Sequence, residues 1–243
     1  IAIGNTAMGG ADVSGNHSSA LGASAMDALT TGACNIAMGI NAYGTAEAGT
    51  SNIAFGNAAM GGSLVTGQNN IAIGHSAADA LLAGACNIAM GENALGAATI
   101  GVNNVAIGQA ALSGVTTGQA DSNVAIGQNA LYGAAGTNSN GNVAVGYQAM
   151  LSTTTGACNV IMGYNAYGTA TTGCLNVAIG REALGSAAVT TGNNNIAIGN
   201  STMDALTSGA CNVGIGMQNA GALTTGCNNV ALGELALGVA VTT

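Results

Sequence analysis

Six cysteines, two histidines, nine carboxylates and one arginine carry most of the reactive chemistry open to this chain. Cys34, Cys86, Cys158 and Cys211 each stand directly before an Asn, and Cys174 and Cys227 stand one residue earlier. Cys158 and Cys174 are 16 residues apart, as are Cys211 and Cys227. In a chain that coils about once per such interval, each pair falls on adjacent coils, within the Cα range of a disulfide. Cys158–Cys174 and Cys211–Cys227 are therefore candidate bridges. Cys34 and Cys86, 52 residues apart, are too distant to bridge and are expected to be free or to cross-link chains. No Cys-x-x-Cys occurs and neither His17 nor His75 is near a cysteine, which argues against zinc.

The remaining polar groups do not assemble a reaction. Asp12, Glu47, Asp121, Glu182 and Glu234 are scattered, without the spacing of a carboxylate pair or a calcium loop. Nothing sets a nucleophile, base and orienter together, so an enzyme is not expected and no cofactor is implied. Gly214-Ile215-Gly216 is half of a dinucleotide fingerprint, but it falls inside a repeat. His75 is expected on an exposed turn, hydrogen-bonded to Glu92 one coil on. Asn16-His17-Ser18 and Asn200-Ser201-Thr202 have the form of glycosylation sequons. With no Lys, one Arg and a net charge of -8, the chain lacks the basic footprint that nucleic acid or an anionic membrane would need. No apolar run is long enough for a membrane helix, because Gly and Asn interrupt every one. The chain starts at Ile1 rather than Met and is expected to be a processed product or part of something longer.

The elements that position these residues are repeats. The unit is Asn-[Ile/Val]-Ala-[Ile/Met/Val]-Gly-x-x-Ala-[Leu/Met/Tyr], seen plainly from Asn70. Its glycine recurs fourteen times, from Gly4 to Gly233, at intervals of 17 to 19 residues. No stretch is left for a second domain, so residues 1–243 read as one repeat domain. The 41 glycines, absent prolines and 4% charged residues also separate the chain from an ordinary globular domain.

Alternation around Ala72, bounded by Asn and Gly, predicts a short strand. A second short strand is expected after the Gly, then a turn such as Thr116-Thr117-Gly118 or Thr224-Thr225-Gly226. Stacked coils can bury what one coil cannot, the logic of a solenoid. Thirteen steps of ~4.8 Å predict a rod roughly 60 Å long. A triangular β-helix would need aliphatics every six residues. From Val105 that register meets Ala111 and Thr117, so a flattened two-stranded roll is preferred.

One polar column runs through the stack: Asn35, Asn52, Asn70, Asn87, Asn104, Asn123, Asn142, Asn159, Asn176, Asn195, Asn212 and Asn229. Its amides can form a ladder, or each can cap its own turn. With Ile71 and Ile73 assigned to the interior, Ala72, Ala89, Ala106 and Ala125 fall on the opposite face. They are expected to form a smooth surface against which neighbouring chains pack.

Asn104-Val105-Ala106-Ile107-Gly108-Gln109-Ala110-Ala111 and its thirteen relatives resemble the head repeats of trimeric autotransporter adhesins, the YadA-like family. Similar repeats occur in bacteriophage tail fibres. The resemblance covers essentially the whole chain. It implies a left-handed parallel β-roll, three chains side by side, and adhesion at a cell or virion surface. The repeat here is longer, and no heptad stalk or membrane anchor accompanies it.

The expected function is a structural extracellular fibre protein whose only evident partner is itself. Neither end shows a sequence-visible cap, so head-to-tail or side-by-side polymerisation is expected. The alternative is an adhesin head or tail-fibre segment holding a receptor or glycan of unknown identity. Tyr147, Tyr164 and Arg181, and the longer loops at Gln119 to Ser122 and Gly136 to Gly141, would be its site. The Thr-Thr pairs recur too irregularly for an ice-binding ladder.

Overall fold

The structure, a computed structural model, describes residues 1–10, 17–114, 120–133, 139–185 and 191–238. Asp12, Asn16, Thr116-Thr117-Gly118, Gln119, residues 136–138 and Thr242-Thr243 lie outside the described residues. The chain divides into two compact units, Ile1–Ser122 and Asn123–Thr243.

The first unit holds β1 (Ala2–Ile3), β2 (Ser19–Leu21), β3 (Ile36–Met38), β4 (Ile53–Phe55), β5 (Ile71–Ile73), β6 (Ile88–Met90) and β7 (Val105–Ile107). The second holds β8 (Val124–Ile126), β9 (Val143–Val145), β10 (Val160–Met162), β11 (Val177–Ile179), β12 (Ile196–Ile198), β13 (Val213–Ile215) and β14 (Val230–Leu232). Within each unit the strands pair in parallel and in chain order, one strand per repeat. Like residues stack on like: Ile53 pairs with Ile71, Ala54 with Ala72 and Phe55 with Ile73. The protein is thus an all-β parallel solenoid, with no helix among the described residues.

The repeat makes one strand per coil, not two. After the strand the chain runs through overlapping turns. Ala77 N–H donates to Gly74 O at 3.4 Å, and Ser76 and Ala78 are left-handed, at φ 51° and 52°. The turns also stack: Ser76 N–H donates to Asn57 O at 3.0 Å and Ala78 N–H to Ala94 O at 2.9 Å. A strand cannot serve on this side because consecutive residues, such as Ala94 and Leu95, are both buried. A strand would point them to opposite faces. Left-handed backbone at non-glycine residues costs about 1–2 kcal/mol each. The stacked hydrogen bonds hold it in place.

The strands alternate as expected, but with the opposite phase. Ala72, Ala89, Ala106 and Ala125 are wholly buried inside the coil, while Ile71, Ile73 and Met90 lie partly exposed outside it. The proposed alanine association face is therefore interior, and the outer face of the sheet is aliphatic. The phase is set by the buried or half-buried Asn that opens twelve of the fourteen repeats, with Ser18 in its place before β2. Period two puts the second strand residue on the same face as that Asn, and the first and third on the other. The core is filled by these alanines, by the Asn column, and by turn residues such as Met26, Met60, Leu95 and Leu131.

Candidate functional site

Asn35 to Asn104 in the first unit, and Asn123 to Asn229 in the second, form columns of buried or half-buried amides. The bonding repeats coil by coil. Asn87 donates its backbone N–H to Asn70 Oδ1 at 3.0 Å. Its Nδ2 donates to Asn70 Oδ1 at 3.0 Å and to Gly101 O at 2.8 Å. Asn87 Oδ1 in turn accepts from the backbone and side chain of Asn104, at 3.0 and 3.1 Å. Each amide thus ties one strand to the next and to the turn that closes its own coil. The pattern continues through Asn142, Asn159, Asn195, Asn212 and Asn229. At the first step Ser18 substitutes, its Oγ accepting from Asn35 N–H at 3.2 Å.

In most coils a glycine stands at this closing position, with Ala120 and Ser139 in two of them, and the fit there is close. A Cβ on Gly84 would lie 2.5 Å from Gly101 O and 3.1 Å from Asn87 Nδ2. Gly74, at φ 136°, would bring a Cβ to 2.6 Å from Gly91 O.

Two tyrosines enter the core where most repeats have Leu or Met. The Tyr43 hydroxyl accepts from Asn52 Nδ2, and that of Tyr167 from Asn176 Nδ2, each at 2.8 Å. Burial raises both phenols well above the ordinary range, with the Asn hydrogen bond opposing the shift.

The cysteines do not pair. All six are free thiols, and five of them are exposed. Leu175 N–H donates to Ala157 O at 3.1 Å, so Leu175 follows Cys158 in its column and Cys174 falls beside Ala157. The Cys174 thiol accepts from Ala157 N–H at 3.4 Å, and Cys227 does the same with Ala210. A separation of sixteen, one short of the coil, puts the two thiols out of register. Cys34, Cys86, Cys158 and Cys211 all take left-handed backbone in the column before the ladder Asn.

His75 and His17 are exposed. Glu92 takes its hydrogen bond from Gln109 Nε2 at 3.1 Å rather than from His75, whose charge acts on Asp79 instead. Threonine hydroxyls are directed back into the protein, as from Thr154 to Thr171 O and Thr207 to Thr224 O, each at 3.0 Å. Among the described residues no three His, Cys, Asp or Glu side chains come together as metal ligands.

Two surfaces stand out. On the rim of the second unit the Tyr147 and Tyr164 rings stack, centroids 5.2 Å apart. The Arg181 guanidinium carbon lies 5.8 Å from the Tyr164 centroid, beside an open cavity of about 460 Å³ lined by Tyr164 and Arg181. Arg181 also pairs with Glu182 at 3.2 Å.

The larger surface is the outer face of the sheet. In the first unit its third-position column is Ile3, Leu21, Met38, Phe55, Ile73, Met90 and Ile107. Beside it run Ile36, Ile53, Ile71, Ile88 and Val105, and no strand residue in either unit is charged. At one end this face forms a hollow of about 210 Å³ lined by Ile1, Ile3, Leu21, Ile36 and Met38, among others. Sequence reasoning missed this surface because it placed the aliphatics inside. The signal was available in the parity between each ladder Asn and the Ala two residues on.

The fold and these surfaces define a class, a parallel β-solenoid repeat protein with an amide-laddered core and an apolar outer sheet face. Compared with family models, curated proteins and solved structures, the chain matches none.

Proposed function

We propose that this chain is a structural fibre protein of an extracellular, cell or virion surface, and that copies associate side by side through their outer aliphatic faces. The observation that carries this is the uncharged double column of Ile, Val, Leu, Met and Phe on the solvent side of the sheet. In the second unit all fourteen outward strand positions, from Val124 to Leu232, are Val, Ile, Leu or Met, and all are exposed or half-exposed. A monomer rarely leaves a contiguous apolar face of that extent open, whereas a partner covers one in a stable complex. A second copy supplies the same flat aliphatic surface, so two faces can interdigitate as packed sheets do. Extracellular placement rests on the resemblance of the repeat to those of surface fibres. Head-to-tail pairing of strand edges is the other mode of the same reading.

Analytical ultracentrifugation of the purified chain, followed by negative-stain imaging, tests the proposal. Oligomers or filaments are expected, and Ile73→Lys with Met90→Lys should abolish lateral association. A stable monomer across a wide concentration range would overturn it.

The stacked Tyr147 and Tyr164 with Arg181 favour a second reading, an adhesin head or tail-fibre segment that holds a receptor or glycan. Tyr164→Ala with Arg181→Ala should then cost surface attachment without changing the oligomeric state. Unaltered attachment would exclude that patch.

A further inference from the structure

Nine methionines are present, and the fold sorts eight of them, with Met8 half-buried in the first turn. Met26, Met60, Met150 and Met203 are in the core, at most 1% exposed. Met38, Met90 and Met162 occupy the third strand position of β3, β6 and β10, on the outer face, at 41%, 38% and 42% exposure. Met217 is as open, at 44%, but follows the strand glycine and stands on the rim rather than the face.

A thioether is open to two-electron oxidants. Peroxide delivers one oxygen to sulfur, its O–O bond breaks, the second oxygen leaves as water, and the product is a sulfoxide. That converts an apolar side chain into a polar acceptor. On an open face water solvates it. Between two packed faces it meets Ile, Val, Leu and Phe, and the strand N–H groups are already committed, as Ile71 N–H is to Asn87 O at 2.8 Å. A buried acceptor with no donor opposes association.

We infer that Met38, Met90 and Met162 are oxidation sites through which peroxide loosens contact between copies of this chain. The inference rests on the side-by-side reading above. Exposed Cys34, Cys86 and Cys158 stand four residues before these methionines and also react with peroxide. Thiol reductants reverse cysteine sulfenate and disulfide but leave methionine sulfoxide in place, which separates the two chemistries.

The test is peroxide treatment of the chain, dispersed and assembled, then dithiothreitol and peptide mass spectrometry. In dispersed chain, Met38, Met90, Met162 and Met217 should oxidise ahead of Met26, Met60, Met150 and Met203. Assembly should protect the three face methionines severalfold and leave Met217 reactive. Oxidised chain should disperse, and methionine sulfoxide reductase should restore assembly. A variant combining Met38→Leu, Met90→Leu and Met162→Leu should assemble and stay assembled in peroxide. If that variant disperses in peroxide as readily as the parent, the inference is overturned and the association reading stands. Assembly persisting with all three sulfoxides formed would also overturn it. A parent chain that is monomeric throughout would overturn both.

Discussion

The Tyr43 hydroxyl takes the Asn52 Nδ2 hydrogen bond, at 2.8 Å, that in most coils goes to the Oδ1 of the preceding ladder Asn. Asn52 keeps only its backbone bond to Asn35 Oδ1, at 2.9 Å, so the phenol stands in for one rung. Tyr43→Phe should therefore cost about 1 kcal/mol, the net value of one such bond. Chemical denaturation of the variant reads this directly. A cost near zero would mean that Asn52 simply returns to Asn35.

The Asn column itself should be far less tolerant. Asn87→Ala removes two donated and two accepted bonds and leaves Asn104 N–H and Gly101 O without side-chain partners. At about 1–3 kcal/mol per orphaned buried group, a loss of at least ~3 kcal/mol is expected in thermal or denaturant unfolding. Asn87→Asp should be no milder, since a carboxylate cannot donate to Gly101 O and introduces a buried charge.

Leu175 is half exposed in left-handed backbone, φ 59°, in the column where Asn69, Asn103, Asn194 and Asn228 also stand. Asn tolerates that conformation better than Leu, through local hydrogen bonding of its short polar side chain. Leu175→Asn should stabilise the protein by part of the roughly 1–2 kcal/mol that left-handed backbone costs an ordinary side chain. An unchanged or lowered melting temperature would contradict the account.

At β13 the interior alanine is replaced by Gly214, and the turn alanines of this and the preceding coil by Asn219 and Thr202. A Cβ on Gly214 would lie 2.7 Å from Met203 Cε and 2.8 Å from Asn219 Oδ1, a buried atom with no hydrogen-bond partner. The three replacements share one volume. Gly214→Ala should destabilise by about 1–3 kcal/mol through overpacking, and adding Asn219→Ala should recover part of that loss. Strictly additive effects in the double-mutant cycle would deny the coupling.

Burial raises the carboxyls of Asp79 and Asp204 above their ordinary 3.8. Gly62 and Gly61 N–H bonds and the His75 charge oppose this at Asp79. At Asp204 its own and the Ala205 backbone N–H oppose it, while Glu182 adds to it. A carboxyl with a raised folded pKa binds its proton more tightly in the folded chain. Its ionisation therefore costs stability above that pKa, and the cost disappears as pH falls toward 3.8. These two groups should make the protein gain stability on mild acidification. In Asp79→Asn with Asp204→Asn the gain should be smaller. Melting temperature against pH, parent beside variant, measures the difference.

Much of the architecture is local and therefore legible in the chain alone. The Asn-x-Ala-x-Gly phrase at a spacing of 17 to 19 determines the coil length, a parallel strand at each phrase and an Asn column through twelve of the fourteen copies. Three matters needed the tertiary structure. Alternation gives two faces but not which is inside, and only the buried amide at Asn70 decides that Ala72 points inward and Ile71 outward. Ala94 and Leu95 both enter the core because left-handed turns replace the expected second strand, a backbone choice that hydrogen bonds from neighbouring coils stabilise. Cys158 and Cys174 look adjacent at 16 residues, yet the coil-to-coil register sets them one position apart. The parity of Asn70 and Ala72 is written in the chain, but the burial that gives it direction comes from the bonds of Asn70 to Asn52 and Asn87, just as the turns and the cysteine offset come from pairing with an adjacent coil.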